Sequence, residues 1–247
     1  MLVIMGSGET SPTMVKTHRA VIDRLGPAPV PAVLLDTPFG FQENADDITA
    51  RAVHYFSESV GTTMEVVSFR SGRDADDVVA HERMMGRLRT AKYVFAGPGS
   101  PTYALSVWAD SAVPGMLAEK LTGGGAVCFA SAAALTLGFL TVPVYEIYKV
   151  GAEPRWLPGL DLLAVTGLRA ALIPHYNNAE GGNHDTRFCY LGERRLARME
   201  EELPEDAFVL GVDEHTGLVI DVETGAAEVV GLGVVTVRAQ GRSETID

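Results

Sequence analysis

Short apolar runs alternate along this chain with longer segments whose apolar residues recur at helical spacing. Each run is four to six residues long and is followed by glycine, proline or small polar residues, a pattern typical of buried strands. Between the runs, apolar positions recur every three or four residues, which predicts amphipathic helices. The predicted strands are Leu2–Met5, Ala32–Leu35, 64–69, Tyr93–Ala96 and Ala126–Ala130, and the predicted helices include 45–60 and 76–88.

This alternation predicts an α/β fold with a doubly wound, mainly parallel sheet, because parallel strands are joined by right-handed helical crossovers. The pattern changes toward the end of the chain, where segments 217–221, 227–230 and 233–237 are close together and separated by turn residues. We expect these segments to form short antiparallel strands. No repeat or linker interrupts the 247 residues, so the sequence predicts a single domain spanning 1–247.

Polar and glycine-rich residues follow the predicted strands at their carboxyl ends. In open parallel sheets, ligands bind outside these ends, so we expect a site there. The segments concerned are Gly6-Ser7-Gly8-Glu9, Asp36-Thr37-Pro38, Gly97-Pro98-Gly99-Ser100, Ser131 and Pro174-His175-Tyr176-Asn177-Asn178. A dinucleotide site at the first loop is disfavoured, because Ser11 occupies the place of the third glycine of the usual motif.

Residues 123–138, GGGAVCFASAAALTLG, place Ser131 between a buried strand and the apolar start of a helix. A serine at such a turn exposes its hydroxyl above the sheet, which is typical of a nucleophile. Serine is also a preferred helix cap, so a purely structural role fits the same pattern. His175 and Glu214 favour catalysis, because a nucleophilic serine needs a base and an acid that orients the base.

Three alternatives remain open. His175, Glu180 and His184 lie close together in sequence and could hold the metal of a metal-dependent hydrolase, although no H-E-x-x-H motif is present. The same α/β scaffold could also belong to a protein that binds a small molecule and has no catalytic activity. A glutamine amidotransferase that uses Cys128 is disfavoured, because this residue is expected to pack inside its strand.

Charge and composition narrow the choice of partners. A net charge of −12 argues against binding to nucleic acid or to an anionic membrane. No apolar run has the length of a membrane span, and the short apolar N-terminus lacks a basic leader, so we expect a cytoplasmic protein. Cys128 and Cys189 belong to no C-x-x-C motif and are expected to be buried thiols. A homodimer is expected, as is common for parallel-sheet proteins of this size.

Five motifs occur in an order that resembles peptidase family S51, which contains cyanophycinase and aspartyl dipeptidase (peptidase E). They are GSGE at 6–9, FAGPGSP at 95–101, ASAAAL at 130–135, IPHY at 173–176 and GVDEHTGLVI at 211–220. The resemblance covers nearly the whole chain. It implies a class I glutamine amidotransferase-like, flavodoxin-like three-layer fold. It also implies a serine hydrolase that cleaves a small peptide or amide at aspartyl residues without a cofactor.

The resemblance also implies roles for individual residues. Ser131 would be the nucleophile, His175 the base and Glu214 the orienting acid. The oxyanion hole would come from the backbone N–H groups of Gly99 and Ala132, since Pro98 has no N–H. The candidates for substrate binding are Glu9, Gly97, Ser100, Asn177, Asn178 and Arg187.

One departure from the family pattern concerns the turn itself. Family members read G-x-S-A-G, whereas this chain has Phe129 and Ala133 in place of the two glycines. We expect the bulky side chain of Phe129 to crowd the turn and to perturb the nucleophile.

Overall fold

A seven-stranded sheet forms the centre of the computed structural model, which describes residues 1–247. The strands of the chain are β1 (Leu2–Met5), β2 (Ala32–Leu35), β3 (Met64–Val67), β4 (Tyr93–Ala96), β5 (Ala126–Ala130), β6 (Leu140–Thr141), β7 (Leu157–Pro158), β8 (Ala170–Ile173), β9 (Phe208–Val212), β10 (Thr216–Ile220), β11 (Ala227–Gly231), β12 (Val235–Ala239) and β13 (Arg242–Ile246). The α-helices are α1 (Val15–Asp23), α2 (Ala45–Tyr55), α3 (Val78–Thr90), α4 (Pro101–Trp108), α5 (Val113–Thr122), α6 (Ser131–Leu135) and α7 (Glu193–Glu200).

The order of strands in the main sheet is β11-β10-β1-β5-β4-β2-β3. The five strands from β1 to β3 in this order are parallel, whereas β10 is antiparallel to β1 and β11 is antiparallel to β10. One apolar core lies on each face of the sheet, as expected when helices cover both sides. The predicted fold class, α/β with a mainly parallel sheet and short antiparallel C-terminal strands, is confirmed.

Strand β5 lies at the middle of this sheet, with β1 on one side and β4 on the other. Met5 pairs with Ala130, and Ala96 pairs with Phe129, so all three strands end at nearly the same level. The loops that follow β1 and β4 therefore flank the residue that follows β5. That residue is Ser131.

A second sheet, with the order β13-β12-β9-β8, corrects the expected topology. The strand that precedes His175 is β8, which we expected in the main parallel sheet, but it pairs only with β9. Segment 233–237 also belongs here, as β12. The residues of β8 and β9 are apolar on both faces, so the hydrophobic pattern does not distinguish them from central strands of the main sheet.

None of the helices combines the length and the hydrophobicity that a crossing of a membrane requires.

Candidate active site

Ser131 occupies a sharp turn between β5 and α6. The backbone is extended at Ala130, with φ −126° and ψ 152°, and then turns to a φ of 51° at Ser131. A non-glycine residue in this left-handed region is strained, and such strain is concentrated at functional sites. The turn lifts the half-buried side chain of Ser131 above the end of the sheet.

A chain of two hydrogen bonds connects Ser131 to His175 and Glu214. The Oγ of Ser131 lies 2.9 Å from Nε2 of His175, and Nδ1 of His175 lies 2.8 Å from Oε1 of Glu214. An ionised carboxylate can only accept, so Nδ1 carries a proton and donates it to Glu214. In the neutral ring, Nε2 then accepts the hydroxyl proton of Ser131. This is the geometry required of a serine nucleophile with its base and orienting acid.

Two asparagines hold Glu214 in place. The Nδ2 of Asn178 donates to Oε1 of Glu214 at 3.2 Å, and the N–H of Glu214 donates to Oδ1 of Asn177 at 2.8 Å. Burial opposes ionisation of Glu214, but the hydrogen bonds from His175 and Asn178 outweigh it and lower its pKa. Asn177 and Asn178, which we expected to bind substrate, both form hydrogen bonds with Glu214.

The backbone of His175 is clamped between two loops. Its N–H donates to the carbonyl of Gly6 at 3.3 Å, and its carbonyl accepts the N–H of Cys189 at 3.2 Å. His175 has a φ of 49°, and the three consecutive residues 188–190 are also left-handed. The sequence carries no signal for this segment, because Phe188, Cys189 and Tyr190 are not residue types that favour a positive φ.

The first glycine-rich loop contacts the segments that carry His175 and Glu214. Besides the bond from His175 to Gly6, the Oγ of Ser7 accepts the N–H of His215 at 3.2 Å, next to Glu214. The ring of His215 packs directly against the backbone of Gly8. A Cβ added to Gly8 would lie only 2.3 Å from Nδ1 of His215. A side chain at position 8 would therefore collide with the ring of His215.

Gly99 and Ala132 both present backbone N–H groups near the turn. The N–H of Gly99 has no acceptor within the protein. Ala132 lies in the first turn of α6, where N–H groups have no partner inside the helix. The two loops are tied together, because the N–H of Ala133 donates to the carbonyl of Gly97 at 3.2 Å. Two such donors can stabilise the oxyanion of an acyl-transfer reaction.

The expectation that Phe129 crowds the turn is wrong. Its side chain is completely buried on the face of β5 opposite to Cys128 and Ala130, where its ring stacks on Trp108 with centroids 5.5 Å apart. Successive side chains of a strand point to opposite faces, so the residue two before Ser131 enters the core.

Two other expected substrate-binding residues are engaged in local structure. The Oγ of Ser100 accepts the N–H of Tyr103 at 3.2 Å and so caps α4. Arg187 forms a two-pronged ion pair with Asp185, at 2.9 Å and 2.8 Å. Glu9 and Gly97, in contrast, line a common pocket.

The candidate metal ligands are not brought together. Glu180 accepts a hydrogen bond from the hydroxyl of Tyr190 at 2.7 Å, and the ring of His184 stacks on Tyr148. His175 faces Ser131 and Glu214, as described above. No group of three or more His, Cys, Asp or Glu side chains is arranged to hold a metal ion.

Both cysteines are free and buried. Burial raises the pKa of Cys128 to about 12 and that of Cys189 to about 12. Neither thiol is ionised near neutral pH, and a thiol in this state is a poor nucleophile.

The fold has close counterparts among solved structures. A peptidase from an acI-B1 Actinobacterium superposes with a TM-score of 0.78 at 20% sequence identity, covering 99% of this chain and 93% of that protein. A candidate peptidase E from Listeria monocytogenes EGD-e superposes with a TM-score of 0.64 at 14% identity, covering 94% of this chain and 98% of that protein. No family model and no curated protein matches the chain. At such identities, these similarities establish the fold that the chain shares with them.

Proposed function

We propose that this protein is a serine hydrolase of the S51 type that cleaves a small peptide or amide. The observation that carries the proposal is the chain of hydrogen bonds from Ser131 through His175 to Glu214, with the nucleophile on a strained turn between strand and helix. The two structural counterparts described as peptidases support the same class of reaction.

The reaction would proceed in two halves. The Oγ of Ser131 attacks the carbonyl carbon of the substrate while its proton passes to Nε2 of His175. The C–N bond then breaks, and His175 returns the proton to the leaving amine, which leaves an acyl group on Ser131. A water molecule attacks this acyl group, gives its proton to His175 and releases the acid, and the proton returns to Ser131.

The surroundings of the triad assist each step. Glu214 stabilises the imidazolium that forms on His175 and holds the ring with Nε2 toward Ser131. The N–H groups of Gly99 and Ala132 are the proposed donors to the carbonyl oxygen as it becomes negative.

An aspartyl substrate would need a cation for its carboxylate. Arg187, the candidate for this role, already pairs with Asp185 through two hydrogen bonds. The proposal is therefore limited to the class of peptide and amide substrates, without preference for aspartate.

Covalent labelling tests the proposal without knowledge of the substrate. A fluorophosphonate should attach to Ser131, as identified by mass spectrometry of the digested protein, because such probes react with serines activated by a base. The variant His175→Ala should label far more slowly, and Ser131→Ala should not label at this position. Failure of the wild-type protein to label at Ser131 would contradict the proposal.

A further inference from the structure

A pocket of about 390 Å³ lies between the loops that follow β1 and β4, on the face of the main sheet that carries α2. Gly97 and Pro98 form one wall, and the carbonyl of Gly97 accepts a hydrogen bond from the N–H of Ala133, two residues after Ser131. Most of the remaining lining is apolar and comes from Leu34, Phe39, Ile48, Ala52 and Phe95. Such walls suit an apolar stem of the kind found in amino-acid side chains.

Glu9 contributes a carboxylate to this pocket although its side chain is only 7% exposed. One of its oxygens, Oε1, lies 3.3 Å from where a Cβ on Gly97 would be. No lysine or arginine pairs with it among the ion pairs of the structure. Arg51 also lines the pocket, but it is exposed and makes no ion pair with Glu9.

The backbone of Glu9 is fixed by a buried polar chain. The Nε2 of His18 donates to the carbonyl of Glu9 at 2.7 Å, and the hydroxyl of Tyr93 lies 2.7 Å from Nδ1. A carbonyl only accepts, so Nε2 carries the proton and Nδ1 of the neutral ring accepts from Tyr93. Burial lowers the pKa of His18 to about 4, which keeps the ring neutral near pH 7.

A buried carboxylate that lacks a cation is unfavourable, because burial removes its hydration and no opposite charge offsets that loss. Burial also raises the pKa of Glu9 from its ordinary value, and the imidazoles of His175 and His215 act in the opposite direction. A bound cation would supply the missing counter-charge.

The position of the pocket links it to the reaction. Glu9 follows β1 and Gly97 follows β4, and these two strands flank β5, which ends at Ser131. Glu9 and Ser131 therefore lie at the same edge of the sheet, on neighbouring loops.

We propose that this pocket is a substrate subsite for a positively charged group, an ammonium or guanidinium on an apolar stem, with Glu9 as its counter-ion. The inference rests on the proposed hydrolase function and adds a substrate class to it. The charge could come from a basic side chain or from a free α-amine, since both present the same chemistry to a carboxylate.

The test compares rates of covalent inactivation at Ser131 by diphenyl phosphonates with a lysine side chain and with the uncharged norleucine side chain. Each is used with a free and with an acetylated α-amine. We expect the cationic member of a pair to react about tenfold faster or more, because hydrogen bonds to charged groups are the stronger ones. A faster reaction of the lysine probe than of the norleucine probe would assign the charge to a basic side chain. A faster reaction of the free α-amine than of its acetylated form would assign it to the α-amine.

The variant Glu9→Gln should reduce that ratio to nearly one, whereas Glu43→Gln, which removes an exposed carboxylate before α2, should preserve it. If Glu9→Gln does not fold, n-butylamine should still protect the wild-type protein from the cationic probe better than n-butanol does. Equal rates for charged and uncharged probes, or an unchanged ratio in Glu9→Gln, would overturn the subsite. Absence of labelling by a simple fluorophosphonate would instead overturn the hydrolase function.

Discussion

Ser131 and His175 meet at 2.9 Å while both have left-handed backbones, with φ values of 51° and 49°. Neither residue type adopts this conformation without cost, so the surrounding hydrogen bonds must hold both in place. For His175 these are the bonds with Gly6 and Cys189, and next to Ser131 the N–H of Ala133 donates to the carbonyl of Gly97. The contact between nucleophile and base is thus assembled at the expense of local backbone stability.

The strain at Ser131 predicts a difference between two inactive variants. Both Ser131→Ala and Ser131→Gly remove the Oγ, and both should lower kcat/KM by about 10³-fold or more. Glycine tolerates a positive φ, so Ser131→Gly should be more stable than Ser131→Ala by about 1 kcal/mol in chemical denaturation. A less stable glycine variant would show that the turn carries no strain.

The acid of the triad predicts a second pair of effects. Glu214→Gln should lower kcat by about 10³–10⁴-fold, because an amide cannot stabilise the imidazolium and permits the wrong tautomer of His175. Asn178→Ala removes one hydrogen bond to the carboxylate, so its loss should be smaller, on the order of tenfold. Steady-state kinetics on the two purified variants decides the order. Equal effects would mean that Asn178 does more than hold Glu214.

Because the ring of Phe129 is buried in the core, we expect its removal to lower stability without raising the catalytic rate. Phe129→Ala should lower the free energy of unfolding by about 3–5 kcal/mol, because it leaves a cavity beside Trp108. The exposed Phe41 offers a matched control, and Phe41→Ala should cost about 1 kcal/mol or less. Urea denaturation of both variants measures the difference. A mild effect at Phe129 with faster turnover would restore the expectation of a crowded turn.

The surroundings of Gly99 leave no space for a side chain. It has a φ of 138°, and an added Cβ would lie 2.0 Å from the carbonyl oxygen of Pro38. Gly99→Ala should therefore displace the loop and lower kcat by about 10²-fold or more through loss of an oxyanion donor.

Gly115 supplies the control for that substitution. A Cβ at this position in α5 meets nothing within 4 Å, so Gly115→Ala should keep full activity and gain about 0.5–1 kcal/mol of stability. Normal activity in Gly99→Ala would remove this loop from the oxyanion hole.

The buried histidine predicts how stability depends on pH. The pKa of His18 falls from 6.5 to about 4 on folding, so the unfolded chain binds more protons between these values. The neutral ring of His18 contributes about 3 kcal/mol to the free energy of unfolding. This contribution is fully present above pH 6.5 and is lost as the pH falls toward 4. Denaturation curves from pH 7 to pH 4 measure this loss. In His18→Gln, which cannot titrate, the stability lost between pH 7 and pH 4 should be smaller by about 3 kcal/mol. An unchanged loss would mean that other groups cause the pH dependence.

Much of the fold follows from periodicity. The apolar runs at Leu2–Met5, Ala32–Leu35, Tyr93–Ala96 and Ala126–Ala130 become strands with those bounds, because buried parallel strands carry apolar residues on both faces. Helix 45–60 becomes α2 followed by a π-helical turn at Phe56–Val60. The second sheet was not predictable, since a pattern of burial does not say which strands pair.

The candidate site also has features that the sequence predicts and features that it does not. Ser131, His175 and Glu214 could be proposed because a strand end is a local signal. The support from Gly6 and Cys189 is made by backbone groups and that from Ser7 by its hydroxyl, all far from their partners in sequence, so no local pattern marks it. The local partners of Ser100 and Arg187, which are Tyr103 and Asp185, were not predicted either, because a hydrophobic pattern does not say which polar groups pair.

The three members of the triad come from separate parts of the molecule. Ser131 follows a strand of the seven-stranded sheet, His175 follows a strand of the four-stranded sheet, and Glu214 lies on the short link from β9 to β10 that joins the two. Each sheet alone carries an incomplete set. The hydrogen-bonded chain from Ser131 to Glu214 therefore exists only where both sheets are folded and packed together, and the proposed activity would be lost on partial unfolding of either sheet.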